Sequence, residues 1–108
     1  MGTAKTEEFT VKDNRIATYA KALAHPARVA ILQLLVKSQS CICGDIVDEL
    51  PLSQSTVSQH LKELKDAGLI KGNIEGVKVC YCINEEEWEM AKSYITDLLK
   101  SFKGNKCC

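Results

Sequence analysis

The stretch LSQSTVSQHLKELKDAGLI, residues 52–70, constrains the fold more than any other part of the chain. Val57, Leu61 and Leu64 recur at i, i+4 and i+7, the spacing of one buried stripe on an α-helix. Ser53 just ahead of that stripe predicts an N-cap, and Gly68 just past it predicts the stop. After Gly68 the pattern changes from helical to alternating. LIKGNI and VKVCYCIN read as two strands of a β-hairpin turning about Glu75-Gly76. In the second strand Val77, Val79, Tyr81 and Ile83 share one face, while Lys78, Cys80 and Cys82 share the other. A helix that ends on glycine and runs directly into a hairpin leaves few arrangements open to 108 residues, the size of one small domain.

The flanking segments are helical. Ile16, Ala20, Leu23 and Ala24 recur at helical spacing between Arg15 and Ala24. Pro26 ends that helix and suits the first turn of the next, PARVAILQLLVK, with Ile31, Leu34 and Leu35 facing inward. CGDIVDEL predicts a third, short helix with Ile46, Val47 and Leu50 inside, stopped by Pro51. That helix and the one after Ser53, joined by a short polar turn, form a helix-turn-helix candidate. Beyond the hairpin, Asn84 and Glu87 have the spacing of a capping box that starts a last helix. Along it Trp88, Ala91, Ile95, Leu98 and Phe102 fall at 3-4-3-4 spacing. A helix of about 16 residues is about 24 Å long, more than so small a domain can cover. With Ile16 of the first helix, these residues are therefore expected to form a dimer interface. The expected fold is mainly α with a small β-hairpin wing: a winged helix-turn-helix with an extra helix at each end. It makes a single domain over 1–108, with flexible ends at 1–13 and 103–108.

Fourteen basic residues balance fourteen acidic ones, so bulk attraction cannot hold this chain on a polyanion and any such contact must be local. The charge is uneven. Residues 1–37 carry six basic and three acidic side chains, while residues 85–97 carry five acidic and one basic. No run approaches 18 apolar residues, which excludes a membrane-spanning helix, and MGTAKTEEFT lacks a signal-peptide core, which makes the cytoplasm the expected location. Neither histidine neighbours a cysteine in the predicted layout and no phosphate-binding glycine loop is present, so an enzyme is not expected.

Three segments, ALAHPARVAILQLL, CICGDIVDELPLSQSTVSQHLKELKDAGLI and GNIEGVKVCYCIN, together resemble the ArsR/SmtB family of winged-helix, metal- and metalloid-sensing repressors. The resemblance covers roughly Arg15 to Phe102. It implies a homodimer that sits on an imperfect inverted repeat in double-stranded DNA, represses transcription, and leaves when an inducer binds. On the helix after Ser53, the side opposite the apolar stripe is short, polar and uncharged at its N-terminal end. Gln54, Ser55, Thr56, Ser58, Gln59 and His60 are therefore the candidates for reading base edges in a major groove, with His60 equally suited to packing. Lys62, Lys65, Lys71 and Lys78 are placed for phosphates, which set register rather than sequence choice.

Six cysteines come as three close pairs, Cys41/Cys43, Cys80/Cys82 and Cys107/Cys108. In a reducing compartment such pairs point to metal binding or redox chemistry rather than structural bridges, and none has the spacing of a zinc knuckle. The resemblance offers two sensing sites to compare. A zinc site on the last helix needs histidine, and residues 85–102 contain none. An arsenite-type site needs CxC at the head of the first helix of the helix-turn-helix, which Cys41 and Cys43 match. Its usual third cysteine would fall at Ile46, so a third thiolate would come from Cys107 or Cys108, of the same subunit or its partner. Thiolates select soft centres, and a helix N-terminus favours the thiolate, which supports a soft ligand; the resemblance implies As(III) as the regulatory ligand, with no obligatory cofactor. Cys80 and Cys82 project from one strand face about 7 Å apart, compatible with a secondary soft-metal site or two exposed thiols. Two other readings stay open: a repressor switched by thiol oxidation or persulfide, and a thiol metal-binding protein that no longer reads DNA.

Overall fold

The computed structural model describes residues 8–43, 50–75 and 78–104, with the backbone alone at 74, 75 and 78. The chain runs α1 (Val11–Ala22), α2 (Pro26–Ser38), β1 (Ile42–Cys43), α3 (Gln54–Asp66), β2 (Ile70–Glu75), β3 (Lys78–Ile83) and α4 (Glu85–Lys100). Among the described residues, four helices and a three-stranded antiparallel sheet of order β1-β3-β2 make a winged helix.

Each helix starts on a side chain that satisfies a free backbone donor. Thr10 accepts from the Asp13 amide at 3.0 Å, and His25 Nδ1 accepts from Ala27 at 3.0 Å with Pro26 opening α2. Ser53 caps α3 and Asn84 caps α4, by accepting from the amides of Thr56 and Glu87. Gly68, at φ +89°, turns the chain out of α3. A side chain there would be strained, and a Cβ would stand 3.0 Å from Cγ of Glu87. The hairpin register pairs Ile70 with Ile83 and Gly72 with Tyr81.

The core is formed by Tyr19 and Ala22 of α1, Ile31, Leu32 and Leu35 of α2, Val57, Leu61 and Leu64 of α3, Leu69, Ile70 and Ala91. At about 25 cal/mol per Å² of apolar surface, burying such side chains is the main favourable term in folding. The predicted stripe of α3 is buried throughout. That of α1 is not: Ala20, Leu23 and Ala24 are exposed, and the helix instead buries Tyr19 and Ala22. The reason is polar. The Tyr19 hydroxyl donates to Glu87 Oε2, which also accepts from Arg15 Nη1 at 2.6 Å, and this pair of bonds ties the Tyr19 side of α1 to α4. Burial first, and the Glu87 bond second, hold the Tyr19 hydroxyl's pKa above its ordinary value. Glu87 thus performs only half of the predicted capping box. Its amide is capped, but its carboxylate serves α1, and the Asn84 amide donates to Leu69 O instead.

One expected element changes type. Cys43, predicted to open a short helix, lies in β1, where its register partner is Cys80. The rest of that predicted helix up to residue 49, with Ile46 and Val47, lies outside the described residues, as does the Gly76 turn.

Candidate nucleic-acid interface and cysteine ladder

Helix α3 has two unlike sides. Inward are Val57, Leu61 and Leu64; outward are Gln54, Ser55, Ser58, Gln59 and Lys62, all exposed, with Thr56 half-buried. At its head Ser53 Oγ lies 2.9 Å from Thr56 Oγ1 and 3.3 Å from Ser55 Oγ, so the first turn is fixed by short hydroxyls that leave the face low and polar. Lys62 donates to Asp66 one turn on, at 2.8 Å, and this bond raises its pKa. Lys65 and Lys71 are exposed beside that face, while the side chain of Lys78 lies outside the described ones.

His60 departs from the rest of the residues expected to face DNA. It is buried, its Nδ1 accepts from Arg28 Nε at 3.1 Å, and its ring centre lies 4.4 Å from that of His25. Burial, then the charges of His25 and Arg28, lower its pKa. A ring held this way joins α2 to α3 and is not available to a base edge. The Arg28–His60 contact spans 32 positions, so no local pattern announces it.

The cysteines are arranged differently from their order in sequence. Cys41 is bonded to Cys82 and Cys43 to Cys80, with Cα separations of 4.3 and 3.9 Å. The neighbours in sequence are not the partners in space, and the expectation of open thiols in place of bridges is corrected for these four. The cause is the short strand β1, which runs antiparallel to β3 and sets Ile42 against Tyr81 and Cys43 against Cys80. Nor is Cys80 an exposed thiol, being 1% exposed on β3, the central strand. Cys107 and Cys108 lie outside the described residues.

Of the residues expected at a dimer interface, Ala91 belongs to the subunit's own core, while Ile16, Trp88 and Ile95 are half-buried. Leu98 is 54% and Phe102 70% exposed. Beside them stand exposed Leu99, and Phe9 and Val11 at the start of α1. Among the described residues no helix is long and apolar enough to cross a membrane.

Residues 25–71 match the model of the arsR family of bacterial regulatory proteins. The chain is 48% identical over 61 residues to the HTH-type transcriptional repressor SmtB of Mycobacterium tuberculosis, covering 56% of this chain and only 44% of that protein's length. It is 32% identical over 92 residues to the arsenical resistance operon repressor of Staphylococcus xylosus, covering 85% of this chain and 88% of that one. Among solved structures it resembles the homodimeric winged helix-turn-helix DNA-binding domain Mb0332 of Mycobacterium bovis, described as a possible ArsR-family regulator. The TM-score is 0.65 at 24% identity over 96% of this chain and 97% of that one, a likeness of fold.

Proposed function

Because the chain belongs to the ArsR family of bacterial regulatory proteins, we propose that it is a homodimeric transcriptional repressor that reads inverted-repeat double-stranded DNA with α3. The observation that carries this reading is the two-sided build of α3. Its apolar stripe is completely buried, and Gln54, Ser55, Ser58 and Gln59 are left on a free polar face flanked by lysines. Glutamine matches the paired donor and acceptor of adenine in the major groove, and serine matches several groups. Lys62, Lys65, Lys71 and Lys78 supply phosphate contacts on a chain with no net charge, so binding is local and steeply salt-dependent.

The signal is a thiophilic one. Once reduction has opened the Cys41–Cys82 and Cys43–Cys80 bridges, As(III) or a soft metal ion engages the freed thiolates of Cys41 and Cys43 and lowers DNA affinity. A second signal, oxidation of the same thiols, is favoured by the pairing of the four cysteines across β1 and β3.

The test is fluorescence anisotropy on a duplex selected from a random library by the reduced protein. Binding should select a symmetric site, and arsenite at about one equivalent per subunit should release it, in a manner lost in Cys41→Ser and Cys43→Ser. Selection of no sequence at all would sink the repressor reading. Release by oxidant but never by arsenite would replace the metalloid with the redox signal.

A further inference from the structure

Alternate residues of a strand point to the same side, so Cys41 and Cys43 present their sulfurs to one face of the β1–β3 ladder, as do Cys80 and Cys82. The two rungs share an asymmetry. Each joins an exposed cysteine of the β1 segment, Cys41 or Cys43, to a more covered one of β3, with Cys82 half-buried and Cys80 buried. The outer rung also borders a cleft of about 620 Å³ walled by Leu35, Ser40, Ile83, Glu85 and Trp88, which opens Cys41 to small solutes. The rungs tie the segment that follows α2 to the returning strand of the wing, and β1 itself is only two residues long. Without the sulfur bonds, so short a pairing rests on very few hydrogen bonds, each a modest net contribution in water.

We propose that Cys41–Cys82 and Cys43–Cys80 are a two-rung oxidative latch, closed by hydroperoxides, in which the β1 cysteine takes the oxidant and the β3 cysteine resolves it. The chemistry balances rung by rung. The exposed thiol attacks the peroxide oxygen, giving a sulfenic acid and releasing the alcohol, or water where the oxidant is hydrogen peroxide. The facing thiol then attacks that sulfur, the S–S bond forms, and the hydroxyl leaves as water with the second proton. One peroxide is reduced by two electrons for each disulfide, so two are consumed per subunit. The covered position of Cys80 fits the resolving role, since it is shielded from oxidant yet its Cα lies 3.9 Å from that of Cys43. Closing the latch fixes the wing against the body of the domain, so the wing lysines can no longer follow the DNA backbone independently of α3. This last step alone rests on the DNA-binding reading of the protein.

The experiment uses the full chain carrying Cys107→Ser and Cys108→Ser, fully reduced, then titrated with hydrogen peroxide. Thiol counting should show four thiols lost for two equivalents, and dithiothreitol should restore them. Connectivity is read from paired substitutions in the same background. Cys43→Ser with Cys80→Ala, which keeps the buried site apolar, leaves one rung and should still close. So should Cys41→Ser with Cys82→Ser, which leaves Cys80 in place. Cys43→Ser with Cys82→Ser leaves a crossed pair and should stay open. Anisotropy on the selected duplex should show about tenfold weaker binding after oxidation, within the usual range of an allosteric coupling. A crossed pair that closes as readily, a bridge from Cys41 to Cys43, or bridges between subunits would overturn the latch, and closure with unchanged DNA affinity would overturn its regulatory role. Absence of sequence-selective binding in both states counts against the repressor reading instead, leaving the latch to be judged on its connectivity.

Discussion

Helices α3 and α4 start alike and end differently. Each opens on a small polar cap, Ser53 or Asn84, and each carries its apolar residues along one stripe. Yet α3 buries Val57, Leu61 and Leu64 within its own subunit, whereas α4 buries only Ala91 and leaves Leu98 and Leu99 in solvent, with exposed Phe102 just past its end. At its first turn α4 is pinned by Arg15 and Tyr19 through Glu87; at its last, apolar side chains stand uncovered. Amphipathic spacing says that a face will be covered without saying by what. For α3 the cover is the monomer. For α4 the face is suited to a second copy.

The contrast can be broken by substitution. Leu64→Ala should cost about 2–5 kcal/mol, because a fully buried leucine leaves a cavity as well as losing its transfer energy. That cost, measured by denaturant unfolding, should not vary with protein concentration. Leu98→Asp combined with Phe102→Asp should weaken self-association by about 2–3 kcal/mol, the scale of interface anchors, and sedimentation equilibrium would detect it. If this double variant remains dimeric, α4 is covered by something else and the comparison fails. Gln59→Ala should cost about 1–3 kcal/mol in DNA binding and relax preference at one base position, read by competition among duplexes. Ser53→Ala should cost about 1 kcal/mol of stability, and Asn84→Ala a similar amount, since the two caps do the same job in the two helices.

The smallest expected effect is with pH and concerns the α2–α3 joint. The His60 pKa is lowered in the folded chain, chiefly by burial. The folded state therefore favours the neutral ring. The stability linked to it is complete above the ordinary histidine range, about 6.5, and is lost as pH falls from there through the lowered folded value. Protonation would also place a charge beside Arg28 and cancel the acceptor that Arg28 Nε uses. His60→Gln should flatten this part of the pH–stability profile, and a profile unchanged by the substitution would show that the ring is not the group titrating.

What could be read from the sequence follows the range of the forces involved. The N-caps at Ser53 and Asn84, the stripe on α3, the glycine stop and the hairpin depend on residues within a few positions of one another, and each is where local chemistry puts it. Contacts between distant segments were not legible. Arg15 reaches Glu87 across 72 positions, Arg28 reaches His60 across 32, and the sulfur pairs span 41 and 37. β1 is too short to show an alternating pattern, so local spacing places Cys43 at the start of a helix. Without β1, nothing in the order of the cysteines reveals that Cys80 and Cys82 are the partners of Cys43 and Cys41.

The sulfur pairs also alter the covalent topology of the molecule. Each bond closes a loop of the main chain, one from Cys41 to Cys82 and a smaller one nested inside it from Cys43 to Cys80. The whole of α3 lies within both loops. A single protease cut anywhere between Cys43 and Cys80 would leave the bridged molecule in one covalent piece, its two fragments parting only on reduction. Helix α3 thus sits on a segment that can be nicked without being lost.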